Sequence, residues 1–379
     1  MKREPLLEVK HLSVEYDAPN GTVHAVTDVS LTLHRGETFG LAGESGSGKS
    51  TLAYAVARLL NPPARVSSGE ALYYPRPMPA QNGAHASRQA QSGGGAAWQP
   101  FDILRLSEEE LRSFRWNDLA IVFQSAMNAL NPVMDIGTQI MDVLWTHQSY
   151  LSKEECKQRA VELLQLVGIA PDRLKSYPHE LSGGMRQRTV IAIALALSPE
   201  IIIMDEPTTA LDVVVQRDIL GEILRLQAQL GFAVIFITHD LSLLLELADT
   251  VAIMYAGRLV EQGSQRAVYE HPRHPYSYGL INSFPSLHGP RRKAYGIPGT
   301  PPDLRAVPTG CAFHPRCPLA FNACKTRLPL LRQVAATAEE GAPEQVACHL
   351  YNQAFREEAP TSADIAAAYE AKAERGGVR

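Results

Sequence analysis

Continuous apolar runs of strand length alternate with helix-length amphipathic segments along this chain of 379 residues. Residues 38–43, 119–124, 200–204 and 233–238 are predominantly apolar, which is typical of parallel strands that are buried on both faces of a sheet. A helix is predicted over residues 50–60, because a proline pair that cannot continue a helix follows it closely. The pattern therefore predicts an α/β fold.

The length exceeds the usual size of one domain, about 100 to 200 residues, so more than one unit is expected. We expect a main domain over residues 1–286 that includes a helical subdomain at about 125–185. The segment at about 75–100 is rich in Pro, Gly, Ala, Gln and Ser and is predicted to be a flexible surface insertion. A small irregular C-terminal unit is predicted over residues 287–357, and an Ala- and Glu-rich tail over 358–379.

Composition and charge exclude several classes of function. Hydrophobic residues make up 45% of the chain and charged residues 20%, the balance of an ordinary globular protein. The formal net charge is −4 and the basic residues are scattered, so no nucleic-acid partner is expected. The sequence does not open on the apolar stretch of a signal peptide, and no apolar run approaches the roughly 20 residues that cross a bilayer. Any membrane role is expected to come through partners.

Residues 43–50, GESGSGKS, match the phosphate-loop pattern G-x-x-x-x-G-K-[ST] between a predicted strand and a predicted helix. Backbone amides of such a loop surround phosphate oxygens, and the helix dipole adds to the positive field. Lys49 is expected to reach the β- and γ-phosphates and Ser50 to bind Mg²⁺. A Gly-rich turn that begins a helix by chance is the alternative. The predicted nucleotide-binding residues here are Gly43, Glu44, Ser45, Gly46, Ser47, Gly48, Lys49, Ser50 and Thr51.

The apolar strand at residues 201–204 runs directly into two carboxylates, Asp205 and Glu206. The strand end would place Asp205 beside Mg²⁺, and Glu206 could orient and partly deprotonate the attacking water. Alone, such a strand end is usually only a strand that meets solvent. Together with a phosphate loop it predicts a site of ATP hydrolysis.

Residues 181–188, LSGGMRQR, resemble the signature motif of ABC ATPases, a family of P-loop NTPases, although Met185 stands where most members have Gln. The motif begins a helix, and its hydroxyl and amide groups can bind an anion. The resemblance implies that Ser182, Gly183 and Gly184 contact the γ-phosphate of ATP on an opposite subunit, so that two chains enclose two nucleotides.

Four more residues resemble family positions in order and separation: Tyr16, Gln124, Asp212 and His239. The resemblance implies that Tyr16 stacks on adenine, and that Gln124 binds Mg²⁺ and links the catalytic site to a membrane partner. It also implies that Asp212 lies at the dimer seam beside nucleotide, and that His239 contacts the γ-phosphate during catalysis. Taken singly, Tyr16 could be a plain strand residue, Gln124 a polar strand end and His239 a structural histidine.

A closer resemblance, over residues 6–351, is to the ATP-binding subunits of oligopeptide and dipeptide permeases. It depends on Met185 in the signature, on NALNP at residues 128–132, and on HPYS at 274–277 with the downstream IPG and PP segments. The resemblance implies an ATPase that energises an importer of dipeptides or oligopeptides. Importers of nickel or oligosaccharides are the alternative. A soluble ABC ATPase is less favoured, since it would usually carry a long coiled-coil insertion or two ATPase halves.

The same resemblance implies the assembly in which such a subunit works. The expected partners are a second, homologous ATPase subunit, two transmembrane permease subunits and an extracytoplasmic solute-binding protein. The expected location is the cytoplasmic face of the inner membrane, as a peripheral protein.

Four of the five cysteines, Cys311, Cys317, Cys324 and Cys348, follow the spacing C-x5-C-x6-C-x23-C. This spacing is looser than that of structural zinc sites, and iron–sulfur clusters also take four Cys ligands. The family resemblance favours a [4Fe–4S] cluster, with zinc second, and His314 or His349 could replace one ligand. Buried unligated thiols are the plain alternative, and an electron-transfer role is a third class of function.

Overall fold

The computed structural model describes residues 3–19, 21–76, 99–124, 129–208, 211–283, 296–334, 344–356 and 358–376. Most of the predicted insertion at about 75–100, the predicted boundary between residues 286 and 287, and Asn128 lie outside the described residues. No helix among the described residues combines the length and apolarity needed to cross a bilayer.

An antiparallel sheet of four strands forms the N-terminal layer, in the order β2-β1-β4-β5. Its strands are β1 (Pro5–Ala18), β2 (Gly21–His34), β4 (Ala64–Tyr73) and β5 (Phe101–Asp102). Alternate residues of β1 and β2 are buried, as expected for strands with one face on a core. This layer packs one side of the phosphate-loop helix.

The second sheet has the order β11-β12-β10-β9-β3-β8-β7-β6. Five of its strands are parallel, and most of their residues are buried on both faces, as the apolar runs predict. These strands are β3 (Thr38–Ala42), β6 (Leu119–Val122), β7 (Ile201–Asp205), β8 (Ala233–Ile237) and β9 (Thr250–Tyr255). Antiparallel strands continue the same sheet: β10 (Arg258–Ser264), β11 (Arg332–Val334) and β12 (Glu344–Val346).

The helices cover this sheet and build a helical region beside it. They are α1 (Lys49–Val56), α2 (Glu108–Phe114), α3 (Ile136–His147), α4 (Lys153–Leu166), α5 (Gly183–Ala194), α6 (Val213–Leu230), α7 (Leu241–Leu247), α8 (Gln265–Glu270), α9 (Pro275–Ile281), α10 (Asn322–Thr326) and α11 (Ser362–Gly376). The helix predicted over residues 50–60 ends earlier, at Val56, because Arg58 adopts a left-handed backbone with φ of 53°.

Helices α3, α4 and α5 pack around a shared apolar core that includes Leu144, Ala160 and Leu163, all fully buried. Helix α4 begins at a capping box, in which the Ser152 hydroxyl and the Glu155 carboxylate each accept a backbone hydrogen bond. Cys156 is also fully buried in this core, as expected for a cysteine that serves only packing.

The tail predicted over residues 358–379 contains a 15-residue helix, α11, which packs against α9. Ile365 and Tyr369 of α11 are buried, and the Tyr369 hydroxyl donates a hydrogen bond of 2.8 Å to the carbonyl oxygen of Pro275 in α9. The tail therefore belongs to the folded body, close to the elements that surround the phosphate loop.

Candidate functional site

The phosphate loop joins β3 to α1 and closes around the Lys49 ammonium. Nζ donates hydrogen bonds of 2.8 Å to the carbonyl oxygen of Gly43 and 3.0 Å to that of Glu44, and lies 3.4 Å from the Ser47 hydroxyl oxygen. Burial lowers the pKa of Lys49, against the opposing effect of nearby carboxylates. A bound phosphate would replace these neutral carbonyl partners of the ammonium with a negatively charged one.

Two positions of the loop require glycine. Gly43 has φ of 146° and Gly48 has φ of 103°, both in the region that other residues rarely adopt. A Cβ atom on Gly43 would lie 2.3 Å from the carbonyl oxygen of Met254, and one on Gly48 would lie 2.2 Å from that of Ala25. The loop path is therefore set by close approach to neighbouring backbone as well as by backbone conformation.

The end of β7 reaches the start of α1. The Ser50 hydroxyl donates a hydrogen bond of 3.0 Å to Oδ1 of Asp205, which is fully buried. The other carboxylate oxygen, Oδ2, is buried without a hydrogen-bond partner, and burial raises the pKa of Asp205. A hydroxyl beside an incompletely satisfied buried carboxylate is a donor set that fits Mg²⁺.

Glu206 follows directly and is held from both sides. Its Oε2 accepts a hydrogen bond of 2.9 Å from Gln124 Nε2, and its Oε1 lies 3.1 Å from His239 Nδ1. The three residues follow the adjacent parallel strands β6, β7 and β8, whose carboxyl ends meet at one edge of the sheet. The structure thus brings the three predicted catalytic side chains together, 82 and 33 residues apart in sequence.

Tyr16 on β1 faces the phosphate-loop helix. Its hydroxyl oxygen lies 3.2 Å from the hydroxyl oxygen of Thr51 in the first turn of α1. The predicted adenine-stacking residue therefore lies beside the predicted phosphate site.

The signature motif forms the start of α5, where the Ser182 hydroxyl accepts a hydrogen bond of 3.3 Å from the backbone N–H of Met185. Asp212 caps α6 in the same way, accepting from the N–H groups of Val214 and Val215 at 3.1 and 3.0 Å. The two helix starts touch, because a Cβ atom on Gly184 would lie 2.9 Å from a methyl group of Val215. Within the described part of the chain, no hydrogen bond joins Ser182 to the phosphate loop.

The sequence motifs did not reveal that residues of the C-terminal half contact the phosphate loop. The Arg316 guanidinium donates to both carboxylate oxygens of Glu44, at 2.7 and 3.0 Å. The backbone N–H of Glu44 donates a hydrogen bond of 2.8 Å to the Tyr276 hydroxyl. Tyr276 lies within the HPYS segment and Arg316 directly precedes Cys317, but neither position predicts a contact with residue 44.

The four C-terminal cysteines are free thiols in one region. Burial raises the pKa of Cys311 to about 11 and that of Cys317 to about 12, and for Cys348 the other three thiols add to the effect of burial. Cys324 accepts a backbone hydrogen bond of 2.8 Å from Cys311. The described residues include no group of three or more His, Cys, Asp or Glu placed to hold a metal ion, so the predicted ligand set for a [4Fe–4S] cluster or zinc is not seen as a metal site.

The two histidines near these cysteines each engage a backbone carbonyl. His314 Nδ1 lies 2.9 Å from the carbonyl oxygen of Cys311, and His349 Nε2 lies 2.8 Å from that of Arg327.

Comparison with known families and structures agrees with this architecture. The family described as ABC transporter matches residues 26–209, and the one described as oligopeptide/dipeptide transporter, C-terminal region, matches residues 260–324. The ATP-binding cassette MJ0796, solved as a dimer with ADP and Pi, has a TM-score of 0.55 and 25% identity over 69% of this chain and 99% of that chain. CbiO1 of Clostridium perfringens has a TM-score of 0.54 and 26% identity over 70% of this chain and 91% of that chain. These neighbours confirm the predicted fold.

Two curated relatives extend over most of the chain. The oligopeptide transport ATP-binding protein OppD of Salmonella typhimurium is 43% identical over 327 residues, 86% of this chain and 90% of that protein. The dipeptide transport ATP-binding protein DppD of Bacillus subtilis is 41% identical over 330 residues, which are 86% of this chain and 90% of that protein. The chain belongs to the ABC transporter family, among the ATP-binding proteins that carry the oligopeptide/dipeptide transporter C-terminal region.

Proposed function

We propose that this chain is the ATP-binding and ATP-hydrolysing subunit of an importer for dipeptides or oligopeptides. The observation that carries the proposal is the position of Glu206, held by Gln124 and His239 next to the Ser50–Asp205 pair. The names of the curated relatives favour peptides over nickel or oligosaccharides as cargo.

The mechanism follows from the chemistry of the residues at this edge of the sheet. Lys49 and the loop amides bind the phosphates, and Ser50 and Asp205 would hold Mg²⁺, which when bound neutralises phosphate charge. Glu206 accepts a proton from the attacking water, while Gln124 and His239 hold its carboxylate in place. His239 remains largely exposed, with 59% of its side-chain surface accessible, so it can also meet the γ-phosphate.

We propose that the site is completed by a second, homologous ATPase subunit, since among the described residues Ser182 makes its hydrogen bond within its own helix start and none to the phosphate loop. Val213 and Val214, directly after Asp212, are 70% and 71% exposed at the start of α6. Exposed aliphatic side chains beside polar helix starts suit a surface that another chain covers. Ser182, Gly183, Gly184 and Asp212 would then face the partner's nucleotide.

Two transmembrane permease subunits are the proposed membrane partners, with an extracytoplasmic solute-binding protein that delivers the cargo. Phe123 and Val133, on either side of residues 125–128, are 39% and 79% exposed. Because Phe123 directly precedes Gln124, a partner bound there could move the residue that holds Glu206. The chain would work at the cytoplasmic face of the inner membrane without spanning it.

The test is to purify the chain with its partners and compare ATP binding with ATP turnover in Glu206→Gln. Binding should persist while turnover is lost, because only the proton acceptor changes. Glu246→Gln, at an exposed ion pair with Arg217, is the matched control and should keep both. Normal turnover by Glu206→Gln would remove Glu206 from its role. Copurifying permeases, identified by mass, would test the assembly.

We also propose that residues 287–357 form a unit in which Cys311, Cys317, Cys324 and Cys348 ligate a [4Fe–4S] cluster, with zinc as the second candidate. Besides burial, the other three thiols raise the pKa of Cys348, which supports their proximity to it. The thiolates of a cluster bind at separate iron atoms, so they need not meet at one point as ligands of a single ion must.

Anaerobically purified protein should therefore show visible iron–sulfur absorption that disappears in Cys317→Ser and persists in Cys156→Ser, the control in the helical core. A colourless protein with one zinc per chain would select the second candidate. A protein with neither metal would contradict the proposal and leave four unligated thiols.

A further inference from the structure

The side chain of Arg316 is only 6% exposed, and its guanidinium makes several polar contacts. Besides the two bonds to Glu44, its guanidinium donates to the carbonyl oxygens of Pro298 and Gly299, at 2.8 and 3.3 Å, and to the Tyr255 hydroxyl at 3.3 Å. A bidentate hydrogen bond between a guanidinium and a carboxylate fixes both the orientation of the carboxylate and its distance. A lysine ammonium, which acts as a point charge, does not fix the orientation in this way.

The carboxylate that Arg316 holds belongs to the phosphate loop itself. Glu44 follows Gly43, and its carbonyl oxygen accepts one of the hydrogen bonds of Lys49. Its backbone N–H is held by Tyr276. Residue 44 is thus fixed at its side chain and its amide by the C-terminal half, and at its carbonyl by the phosphate-binding lysine.

Aromatic packing and backbone hydrogen bonds support the segment that carries Arg316. Phe313 packs its ring 5.3 Å from both the Tyr255 and the Tyr276 ring centroids. Lys372 on α11 donates hydrogen bonds to the carbonyl oxygens of Arg316 and Cys317, at 3.0 and 3.3 Å. Helix α11 and the cysteine-containing segment therefore both help to position Arg316, which binds the side chain of Glu44 in the phosphate loop.

We propose that Arg316 is a positioning residue of the nucleotide site, through which the C-terminal unit sets the affinity of the phosphate loop for ATP. Without Arg316, Glu44 would present an unpaired negative charge beside the nucleotide phosphates, and its backbone would lose one of its supports. This inference rests on the proposed function, since it requires ATP at the phosphate loop.

The test measures the Kd of a non-hydrolysable ATP analogue, together with KM and kcat for ATP, in the full chain with its partners. Arg316→Ala should raise Kd and KM by about tenfold, with a smaller change in kcat because Glu206 is untouched. Arg316→Lys keeps the positive charge but loses the bidentate hydrogen bond, so its Kd and KM should lie between those of the natural chain and those of Arg316→Ala. Arg316→Ala combined with Glu44→Gln should bind the analogue more tightly than Arg316→Ala alone, because the unpaired charge is gone.

Arg35→Ala is the matched control. Arg35 is also largely buried and donates to both oxygens of Glu200, each at 2.9 Å, but this pair lies at the opposite end of the sheet, before β7. Both variants should lower Tm, and only Arg316→Ala should change Kd. Normal Kd in Arg316→Ala, or an equal change in Arg35→Ala, would overturn the inference. Lys49→Ala tests the proposed function separately, because normal binding of the analogue by that variant would contradict a nucleotide site at the phosphate loop, whereas normal Kd in Arg316→Ala alone would leave that site in place.

Discussion

Gln124 donates a hydrogen bond of 2.9 Å to Glu206 across the carboxyl ends of two neighbouring parallel strands. The bond connects the segment after β6, where a membrane partner is proposed to bind, with the carboxylate proposed to activate water. A shift of that segment would therefore reorient Glu206 without moving the strand that carries it.

Replacing Gln124 by Ala should lower ATP turnover by about 10-fold to 100-fold, because a carboxylate that is misplaced by about 1 Å loses that much of its effect. Nucleotide affinity should fall less than turnover, since Lys49 and the loop are untouched. Steady-state kinetics and analogue binding measure the two quantities. Gln165→Ala, on the exposed face of α4, serves as control, and full turnover in Gln124→Ala would contradict the positioning role.

Replacing Gly48 by Ala should abolish nucleotide binding, because the added Cβ would lie 2.2 Å from the carbonyl oxygen of Ala25 and the residue has φ of 103°. Gly221→Ala is the control: it lies within α6, and an added Cβ would meet nothing within 4 Å. That variant should bind nucleotide normally and gain about 0.5–1 kcal/mol of stability. Equal binding by both variants would show that the loop tolerates a side chain at residue 48.

Protein stability should fall with acidification through His274. Burial lowers the pKa of this histidine from 6.5 to about 3, so the unfolded chain takes up its proton first as the pH falls. The contribution is present above about pH 6.5 and is lost progressively toward pH 3. His274→Asn keeps an acceptor for the N–H of Tyr276 at the start of α9, and asparagine does not titrate.

The measurement is the free energy of unfolding in urea at several pH values, compared between the natural chain and His274→Asn. The difference between the two should shrink as the pH falls from about 6.5. A difference that is constant across this range would show that His274 does not contribute to the acid sensitivity.

Helix α11 should contribute to the stability of the folded body. Ile365→Ala should lower the free energy of unfolding by about 2–5 kcal/mol, because Ile365 is fully buried and the truncation leaves a cavity. Glu370→Ala, on the exposed side of the same helix, should change it by no more than about 0.5 kcal/mol. Equal stability of the two variants would show that α11 is not part of the cooperative unit.

The local parts of the site follow directly from the sequence. The Gly-rich loop, the apolar strand that ends in Asp205 and Glu206, and the Ser182 helix start each depend on neighbours within a few residues. Strands β6, β7 and β8 are recognisable as apolar runs, and a parallel sheet necessarily gathers their carboxyl ends. The sheet edge therefore brings Gln124 and His239, which the family resemblance alone singled out, beside Glu206.

Contacts that depend on long-range packing had no counterpart in the sequence pattern. Arg316 meets Glu44 across 272 residues, strands β11 and β12 join the central sheet at its far edge, and α11 packs on α9. Periodicity and motif spacing depend on residues that are close in sequence. These contacts instead form when elements far apart in sequence pack against one another in the folded chain. Tertiary packing therefore decided that the C-terminal unit supports the phosphate loop, which the local pattern of residues had already placed.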